Sequence, residues 1–384
     1  MPRGLAARFA SSPSREPGHP RAYGPDLLRA VAILLVMAWH LPRPARVGVL
    51  ADIQSFGWIG VDIFFVLSGY LIGAQLLKTV AAGRSIELPR FWASRALRIL
   101  PAFLVVLALY YLLPGFSDGA VLKPLWRFLT FTMNLDLDYR VTGAFTSAWS
   151  LCVEEHFYWV LPLLVIAVRR SKSAAPALLL LTAAVLLGGM ALRWALWRGP
   201  AMNPETPPAD FLRLIYYPTW CRLDGLALGV LLAAARVFRP ALCRRWLSPK
   251  VTGPLGVAAW VCVILLCARV DGVVLDLTGA VVVYPLAAIG TALLLSMLLD
   301  VESALRRLPL APVTAIATLA YSLYLVHKPM QHLLRAHLGD RALSGWSGLG
   351  LYLLADVGAA VLLWLAIERP GLKLRDRLLA RPRP

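Results

Sequence analysis

The sequence predicts an all-α protein, a polytopic membrane helical bundle of about ten transmembrane helices with both termini in the cytoplasm. Three observations lead to this prediction. Of the 384 residues, 59% are hydrophobic and only 16% are charged, a composition too apolar for a soluble core with a solvated surface. Apolar runs of about 20 residues, the length that crosses a bilayer, recur along the chain. Lysine and arginine concentrate in alternate connections, which is typical of cytoplasmic loops.

Ten runs are apolar enough to span a bilayer, where every backbone amide must bond within its own helix. In chain order the predicted spans are 27–41, 56–77, 99–117, 147–168, 174–192, 215–235, 251–268, 277–299, 308–326 and 343–367. The apolar patch 128–133 is too short to cross and predicts an interfacial or re-entrant segment. The spans belong to one transmembrane domain (26–370), between a disordered cytoplasmic N-terminal tail (1–25) and a basic cytoplasmic C-terminal tail (371–384).

The formal net charge of +18 fits this topology better than it fits nucleic-acid binding. Most of the 39 lysines and arginines fall on one side of the predicted spans, which orients the bundle. Arginine far outnumbers lysine, as in proteins of GC-rich bacteria, so we predict a multi-pass protein of the bacterial cytoplasmic membrane in contact with membrane lipids. The five cysteines form no CxxC pair, and neither a disulfide framework nor a metal site is predicted.

The first predicted span contains two ionisable residues, Arg29 and His40. Eleven positions separate them, which is close to three helical turns, so they share a face and stand roughly 16 Å apart along the axis. Ionisable groups inside a span are costly, and the ones that are present are candidates for a functional site. Alternatively, Arg29 reaches the membrane surface and His40 lies at the opposite interface.

The fourth span carries two adjacent carboxylates, Glu154 and Glu155, at a depth comparable with His40. Adjacent residues lie 100° apart on a helix, so at most one carboxylate faces the histidine directly. Ser150, Glu154 and Tyr158 recur every four residues and form the more polar stripe, which favours Glu154. A carboxylate bonded to one imidazole nitrogen leaves the other free as a base. The alternative is a structural contact between helices.

Arg95 and Arg98 open the third span on its predicted cytoplasmic rim. They are three residues apart on one helix face, level with Arg29, and together these arginines can bind a polyanion through bidentate contacts. Arginines that flank a span more often only mark its cytoplasmic boundary.

Other polar residues fall within apolar spans at a similar depth and predict a pocket for substrate binding or oxyanion stabilisation. They are Ser68 in the second span, Arg222 and Asp224 in the sixth, and Tyr321, Tyr324, His327 and Lys328 in the ninth.

Seven short segments between about Leu27 and Leu374 together resemble the membrane-bound acyltransferase-3 family, O-acyltransferases with an Arg-x10-His motif. Each segment alone is a weak signal, and seven in the same order are specific. They are the Arg29 and His40 pair and residues 60–70 (GVDIFFVLSGY), 95–101 (RALRILP), 149–158 (WSLCVEEHFY), 222–225 (RLDG), 321–329 (YSLYLVHKP) and 368–370 (ERP). His156 stands where the family often has glutamine.

The resemblance implies an integral membrane O-acyltransferase that moves an acyl group, typically acetyl, from acyl-CoA to a hydroxyl of a carbohydrate, a lipid-linked sugar or a small natural product. It further implies that His40 is the essential histidine and general base. Arg29 is its partner, Arg95 and Arg98 form a second arginine motif that binds the acyl-CoA donor, and Glu154 is the acid of the fourth span. No metal is implied.

Two alternatives stay open at this point. One is a two-step relay in which His40 or Ser68 is acylated before the acceptor arrives. The other is a transporter or flippase of the same topology, since such proteins also bury charges at mid-membrane. Some relatives append an extracytoplasmic hydrolase-like domain, and here we expect transfer to be completed within the bundle. The acceptor, the acyl length and the oligomeric state are left open by the sequence.

Overall fold

The computed structural model describes four stretches of the chain, residues 22–169, 174–202, 207–270 and 272–379. These stretches are mainly helical and contain no β-strand, which confirms the predicted all-α class. The predicted N-terminal tail lies outside the described residues up to position 21, and the first helix already begins at Tyr23. The predicted C-terminal tail is helical up to Leu378, and residues 380–384 lie outside the described part.

Ten long helices make up the bundle in the described part of the chain, and each overlaps one predicted span in order. They are α1 (Tyr23–His40), α2 (Gly60–Ala81), α3 (Leu88–Leu112), α4 (Trp149–Arg169), α5 (Ala174–Arg198), α6 (Asp224–Phe238), α7 (Pro249–Cys267), α8 (Leu277–Asp300), α9 (Ala311–Ala342) and α10 (Gly345–Leu363). Shorter α-helices lie at Val49–Phe56, Leu125–Leu129, Pro207–Phe211, Pro240–Trp246, Glu302–Leu305 and Arg369–Leu378. Single 3₁₀ turns lie at Arg43–Ala45, Gly57–Ile59, Pro114–Phe116, Thr146–Ala148 and Thr219–Cys221, and π turns at Leu212–Tyr216 and Trp364–Glu368.

Length and composition identify seven helices in the described residues that can cross a membrane, and eight if α6 and Pro240–Trp246, which meet at a bend of 111°, form one span. The chain is therefore a polytopic helical membrane protein, while the count of ten and the side of each terminus stay predictions. The two remaining long helices, α1 and α9, are the ones that hold Arg29 and His40 and the polar run 321–328. The polar residues predicted to be functional lower the mean hydropathy of these two helices.

Two boundaries differ from the prediction in ways that affect the site. Helix α3 begins at Leu88, so Arg95 and Arg98 lie two to three turns inside it and not at its rim. The sixth predicted span is interrupted, because the chain forms a π turn and a 3₁₀ turn before α6 starts at Asp224. The patch at 128–133 contributes only the end of the five-residue helix Leu125–Leu129, too short to cross.

Helices α2 and α6 pack at very short range because glycines face each other along their contact. A Cβ added at Gly69 of α2 would lie 2.2 Å from the carbonyl oxygen of Leu226. One added at Gly229 of α6 would lie 2.3 Å from the carbonyl oxygen of Val66. Small residues let helix backbones approach closely in membranes, where dispersion contacts replace the hydrophobic effect as the driving force.

We expect Gly229→Ala to destabilise the bundle, since the new methyl group meets backbone that cannot rotate away. Overpacking of this kind costs about 1–3 kcal/mol. The matched control is Gly350→Ala on α10, where no atom lies within 4 Å of the added Cβ and the alanine favours the helix. The measurement is the thermal midpoint of each variant purified in detergent. Equal midpoints for the two variants would contradict the close packing of α2 on α6.

Candidate active site

A large cavity of about 1490 Å³ lies between α1, α2, α3, α4 and α9, and eight basic and six acidic side chains line it. The basic residues that line it are Arg29, Lys78, Arg84, Arg90, Arg95, Arg98, Arg306 and Arg375. The structure thus brings together Arg29, Arg95 and Arg98, the three arginines predicted to bind a polyanion. Exposed residues at the end of α2 and beyond, among them Lys78 and Arg84, line the cavity at its charged end. We call this the arginine cavity.

The three arginines differ in how far their charge is already satisfied. Arg29 donates from Nη1 to the Asp26 carboxylate at 2.8 Å. Arg95 and Arg98 form no ion pair with any residue in the described stretches, and the buried Nε of Arg95 has no hydrogen-bond partner there. A guanidinium whose donors are unused can bind a phosphate through two parallel hydrogen bonds. Arg95 and Arg98 are therefore the stronger candidates for an anion site.

A second, smaller cavity of about 120 Å³ surrounds His40 at the other end of α1. Its wall is mostly aromatic, with contributions from α1, the start of α4 and the interrupted segment before α6. The aromatic residues that line it are Trp39, Trp58, Trp149, Tyr216, Tyr217 and Tyr324. We call this the histidine pocket.

The hydrogen bonds of His40 determine which of its nitrogens can act as a base. Its Nδ1 lies 2.8 Å from the carbonyl oxygen of Val36 and 3.2 Å from Nε2 of His327, whose own Nδ1 lies 3.0 Å from the Leu323 carbonyl. Carbonyl oxygens only accept, so both Nδ1 atoms carry the hydrogen, and the His327 Nε2 lone pair accepts from His40. The Nε2 of His40 has no partner in the described residues and keeps its lone pair.

The predicted pairing of His40 with a carboxylate of the fourth span is wrong. Glu154 lines the arginine cavity, where its carboxylate accepts a hydrogen bond from Tyr158 at 2.7 Å, and Ser68 lines the same cavity. Glu155 is buried outside both cavities, and its Oε1 has no partner in the described part. The carboxylates were predicted to be level with His40, but the histidine pocket is lined by residues 146, 147 and 149, and Glu154 lies five residues beyond Trp149, roughly 7.5 Å further along α4. A second histidine takes the position predicted for the acid.

The residues predicted on the ninth span lie in or near the two cavities. Tyr321 lines the arginine cavity and donates its hydroxyl to the Ile99 carbonyl at 2.8 Å. Tyr324 lines both cavities. Lys328 donates from Nζ to the Thr146 hydroxyl at 2.9 Å, which joins α9 to the rim of the histidine pocket.

Arg222 and Asp224 line neither cavity, contrary to the prediction that they contribute to the pocket. Arg222 donates from Nη2 to both Asp62 oxygens at 2.9 Å, and Arg193 forms a second two-bond pair with Asp224 at 2.8 and 3.1 Å. All four side chains are buried. Their charges are neutralised inside the protein, which gives them a structural role.

Several polar residues of the arginine cavity were not predicted as site residues, and the buried Glu368 is among them. Glu368 follows α10 and lines the cavity, and it accepts a hydrogen bond from the Ser322 hydroxyl of α9 at 2.6 Å. In the sequence, the feature that could have identified Glu368 is an acid directly after an apolar span. In the described stretches no group of three or more histidine, cysteine or acidic side chains is placed to hold a metal ion.

Comparison with known proteins gives the site a context. A family model described as an acyltransferase domain matches residues 22–368. The peptidoglycan O-acetyltransferase OatA of Listeria monocytogenes is 29% identical over 81% of this chain and 50% of its own length. Nodulation protein 10 of Rhizobium leguminosarum is 28% identical over 93% of this chain and 95% of its own.

A putative O-acetyltransferase of Staphylococcus aureus is 30% identical over 55% of this chain and 34% of its own length. The chain thus spans about half of the Listeria relative and about a third of the Staphylococcus one. No solved structure matches. The family match runs through both cavities, from the start of α1 to Glu368, and this chain therefore belongs to the acyltransferase-3 family.

Proposed function

We propose that the protein is an integral membrane O-acyltransferase that moves an acyl group, typically acetyl, from acyl-CoA to a hydroxyl of a carbohydrate or a related acceptor. One observation carries the proposal: a histidine whose Nε2 has no partner in the described residues lies in an aromatic pocket, beside a cavity whose lining includes Arg95 and Arg98, which form no ion pair there. The family match and two relatives named as O-acetyltransferases support it. We place the protein in the bacterial cytoplasmic membrane with both termini inside.

The donor binds in the arginine cavity. Coenzyme A carries three phosphate groups at its nucleotide end, and Arg95 and Arg98 offer bidentate contacts to them, with Arg29 beside. The thioester is at the far end of a long flexible arm, which covers the roughly 16 Å of helix between Arg29 and His40. The hydrogen-bonded pair of Glu154 and Tyr158 and the hydroxyl of Ser68 lie in this cavity and can bond the amides of the arm.

The acceptor hydroxyl enters the histidine pocket. His40 Nε2 takes the hydroxyl proton as the oxygen attacks the thioester carbonyl carbon, the C–S bond breaks, and the leaving thiolate takes the proton back from the imidazolium. The Val36 carbonyl and His327 Nε2 share the Nδ1 hydrogen of His40, so both favour the competent tautomer, and His327 helps to stabilise the imidazolium. His327 is a positioning residue in this scheme. It has the role for which Glu154 was predicted.

Direct transfer is favoured over a relay through Ser68. The Ser68 side chain lines the arginine cavity on the same wall as Glu154, and His40 lines the other cavity. A nucleophilic serine needs a base within hydrogen-bond reach, and His40, the base of this scheme, is not on that wall. Mass analysis of the enzyme incubated with acyl-CoA and no acceptor distinguishes the two routes, since an acylated peptide containing Ser68 would contradict direct transfer.

We expect His40→Ala to lower acyl transfer by about 10²–10⁴-fold, the usual contribution of a general base. The matched control is His337→Ala, an exposed histidine at the far end of α9 that lines neither cavity. The assay follows release of free coenzyme A together with acylated product in proteoliposomes. Wild-type rates for His40→Ala would overturn the assignment of the base. Solute movement without thioester cleavage would instead identify a transporter.

Replacing His327 tests its positioning role. We expect His327→Leu to lower kcat by about 10- to 100-fold, part of the general-base contribution, because the His40 imidazolium loses one acceptor while the Val36 carbonyl still holds the tautomer. The KM for acyl-CoA should stay within about twofold, since His327 does not line the arginine cavity. His327→Gln keeps an acceptor near the Nε2 position and should recover part of kcat. Equal losses in the leucine and glutamine variants would indicate a packing role only.

The arginine site is tested by Arg95→Gln and Arg98→Gln. We expect each to weaken binding of coenzyme A by about tenfold or more, as the loss of one charge-assisted hydrogen-bonded pair implies. Titration calorimetry with coenzyme A measures this without turnover. Arg269→Gln, at an exposed position outside both cavities, is the control. Unchanged affinity for coenzyme A in the two cavity variants would contradict the anion site and leave both arginines only a role in orienting α3 in the membrane.

A further inference from the structure

Tyr324 occupies the boundary between the two cavities. Of the described residues, it is the only one that lines both the arginine cavity and the histidine pocket. Its side chain is buried and extends from the middle of α9 toward the start of α4. The arginine cavity, where we place the donor, and the pocket of His40 therefore meet at this phenol ring.

Two hydrogen bonds hold the ring in this position. The hydroxyl of Tyr324 lies 2.7 Å from the carbonyl oxygen of Ser147 and 2.5 Å from the hydroxyl of Ser150. Ser147 lines the histidine pocket and Ser150 lines the arginine cavity, so the phenol oxygen is fixed where the two linings meet. The ring of Phe64 on α2 packs edge-on at 6.3 Å and supports it.

We propose that Tyr324 is a movable partition that closes the passage between the donor cavity and the histidine pocket and swings aside only to admit the acyl end of the donor. This inference rests on the proposed function and adds a gating residue to it. While the partition is closed, water in the histidine pocket does not reach the thioester. A closed resting state thus suppresses hydrolysis of the donor before the acceptor is bound.

The direction of the hydrogen bonds separates this role from oxyanion stabilisation. The single hydroxyl hydrogen of Tyr324 is donated to the Ser147 carbonyl, which can only accept, so the Ser150 hydroxyl donates to the phenol oxygen. No hydrogen is left for a developing oxyanion in the closed position. Tyr324 therefore becomes available to the reacting atoms only after it leaves this position.

Cysteine accessibility tests the partition without any donor or acceptor. Val61→Cys places a thiol in the histidine pocket and Ser94→Cys places one in the arginine cavity only. Both are made in a chain whose native thiols are replaced by alanine, at Cys152, Cys221, Cys243, Cys262 and Cys267. A membrane-impermeant maleimide is added to sealed vesicles of each orientation, and labelling of Cys at position 94 identifies the side to which the arginine cavity opens.

From that side, we expect Tyr324→Ala to speed labelling at position 61 by about tenfold or more, because the intact protein exposes this thiol only in a minor open state. Tyr324→Phe keeps the ring and loses both hydrogen bonds, so it should give an intermediate rate and guards against misfolding of the alanine variant. Tyr321→Ala is the matched control, since Tyr321 lines only the arginine cavity. Equal rates at position 61 with Tyr324 and with alanine would overturn the partition.

A second readout follows the donor. With acyl-CoA and no acceptor, Tyr324→Ala should release coenzyme A several-fold faster than the wild type, and adding His40→Ala should abolish the increase. No increase over the wild type, in an enzyme that still transfers acyl groups, would contradict the partition. The proposed function and the partition can be tested separately. A protein that transfers no acyl group but shows Tyr324-dependent labelling would contradict the acyltransferase proposal and still support the partition.

Discussion

The structure depends on neutralising charge where water is excluded. Asp62 with Arg222, and Arg193 with Asp224, form two-bond ion pairs with almost no exposure to solvent. Removing one partner of such a pair leaves an uncompensated buried charge, so neither half is dispensable. The ring of Tyr284 lies 4.2 Å from the Arg222 guanidinium and 5.2 Å from that of Arg193, and its face adds cation–π attraction to both pairs.

These pairs hold open the break before α6. The chain between Leu212 and Asp224 is not regular α-helix, and its carbonyl groups need other partners inside a membrane. Arg222 bonds the Tyr216 carbonyl and Arg193 bonds the Cys221 carbonyl, so the guanidinium groups neutralise acids and satisfy the backbone together. The break in turn places Tyr216 and Tyr217 in the wall of the histidine pocket. The ion pairs thereby shape a site that they do not enter.

The long helices were predictable from the apolar runs, and the candidate functional residues from the motifs, because both are properties of local sequence. The helical repeat of 3.6 residues per turn predicts Arg29 and His40 on one face of α1. In the structure Arg29 lines the arginine cavity and His40 lines the histidine pocket. Neighbours across helices were not predictable. A common depth suggested that Glu154 meets His40, whereas residues 146, 147 and 149 line the histidine pocket and Glu154 lines the arginine cavity. The relative height and rotation of neighbouring helices are decided by packing, such as the glycine contact of α2 and α6, which a single sequence does not specify.

The proposed mechanism has its anion site and its base in different cavities, which resolves a conflict in its chemistry. A phosphate site must be wet and open so that a highly charged donor can enter, while a general base acting on a thioester works best where stray water is excluded. Arginines at the charged end of a large cavity meet the first demand, and an aromatic pocket of about 120 Å³ around His40 meets the second. Only the uncharged acyl end of the donor has to pass between them. A phenol held by two hydrogen bonds is suited to close this passage. It is small enough to move aside, and its hydroxyl can form the same two hydrogen bonds again when it returns.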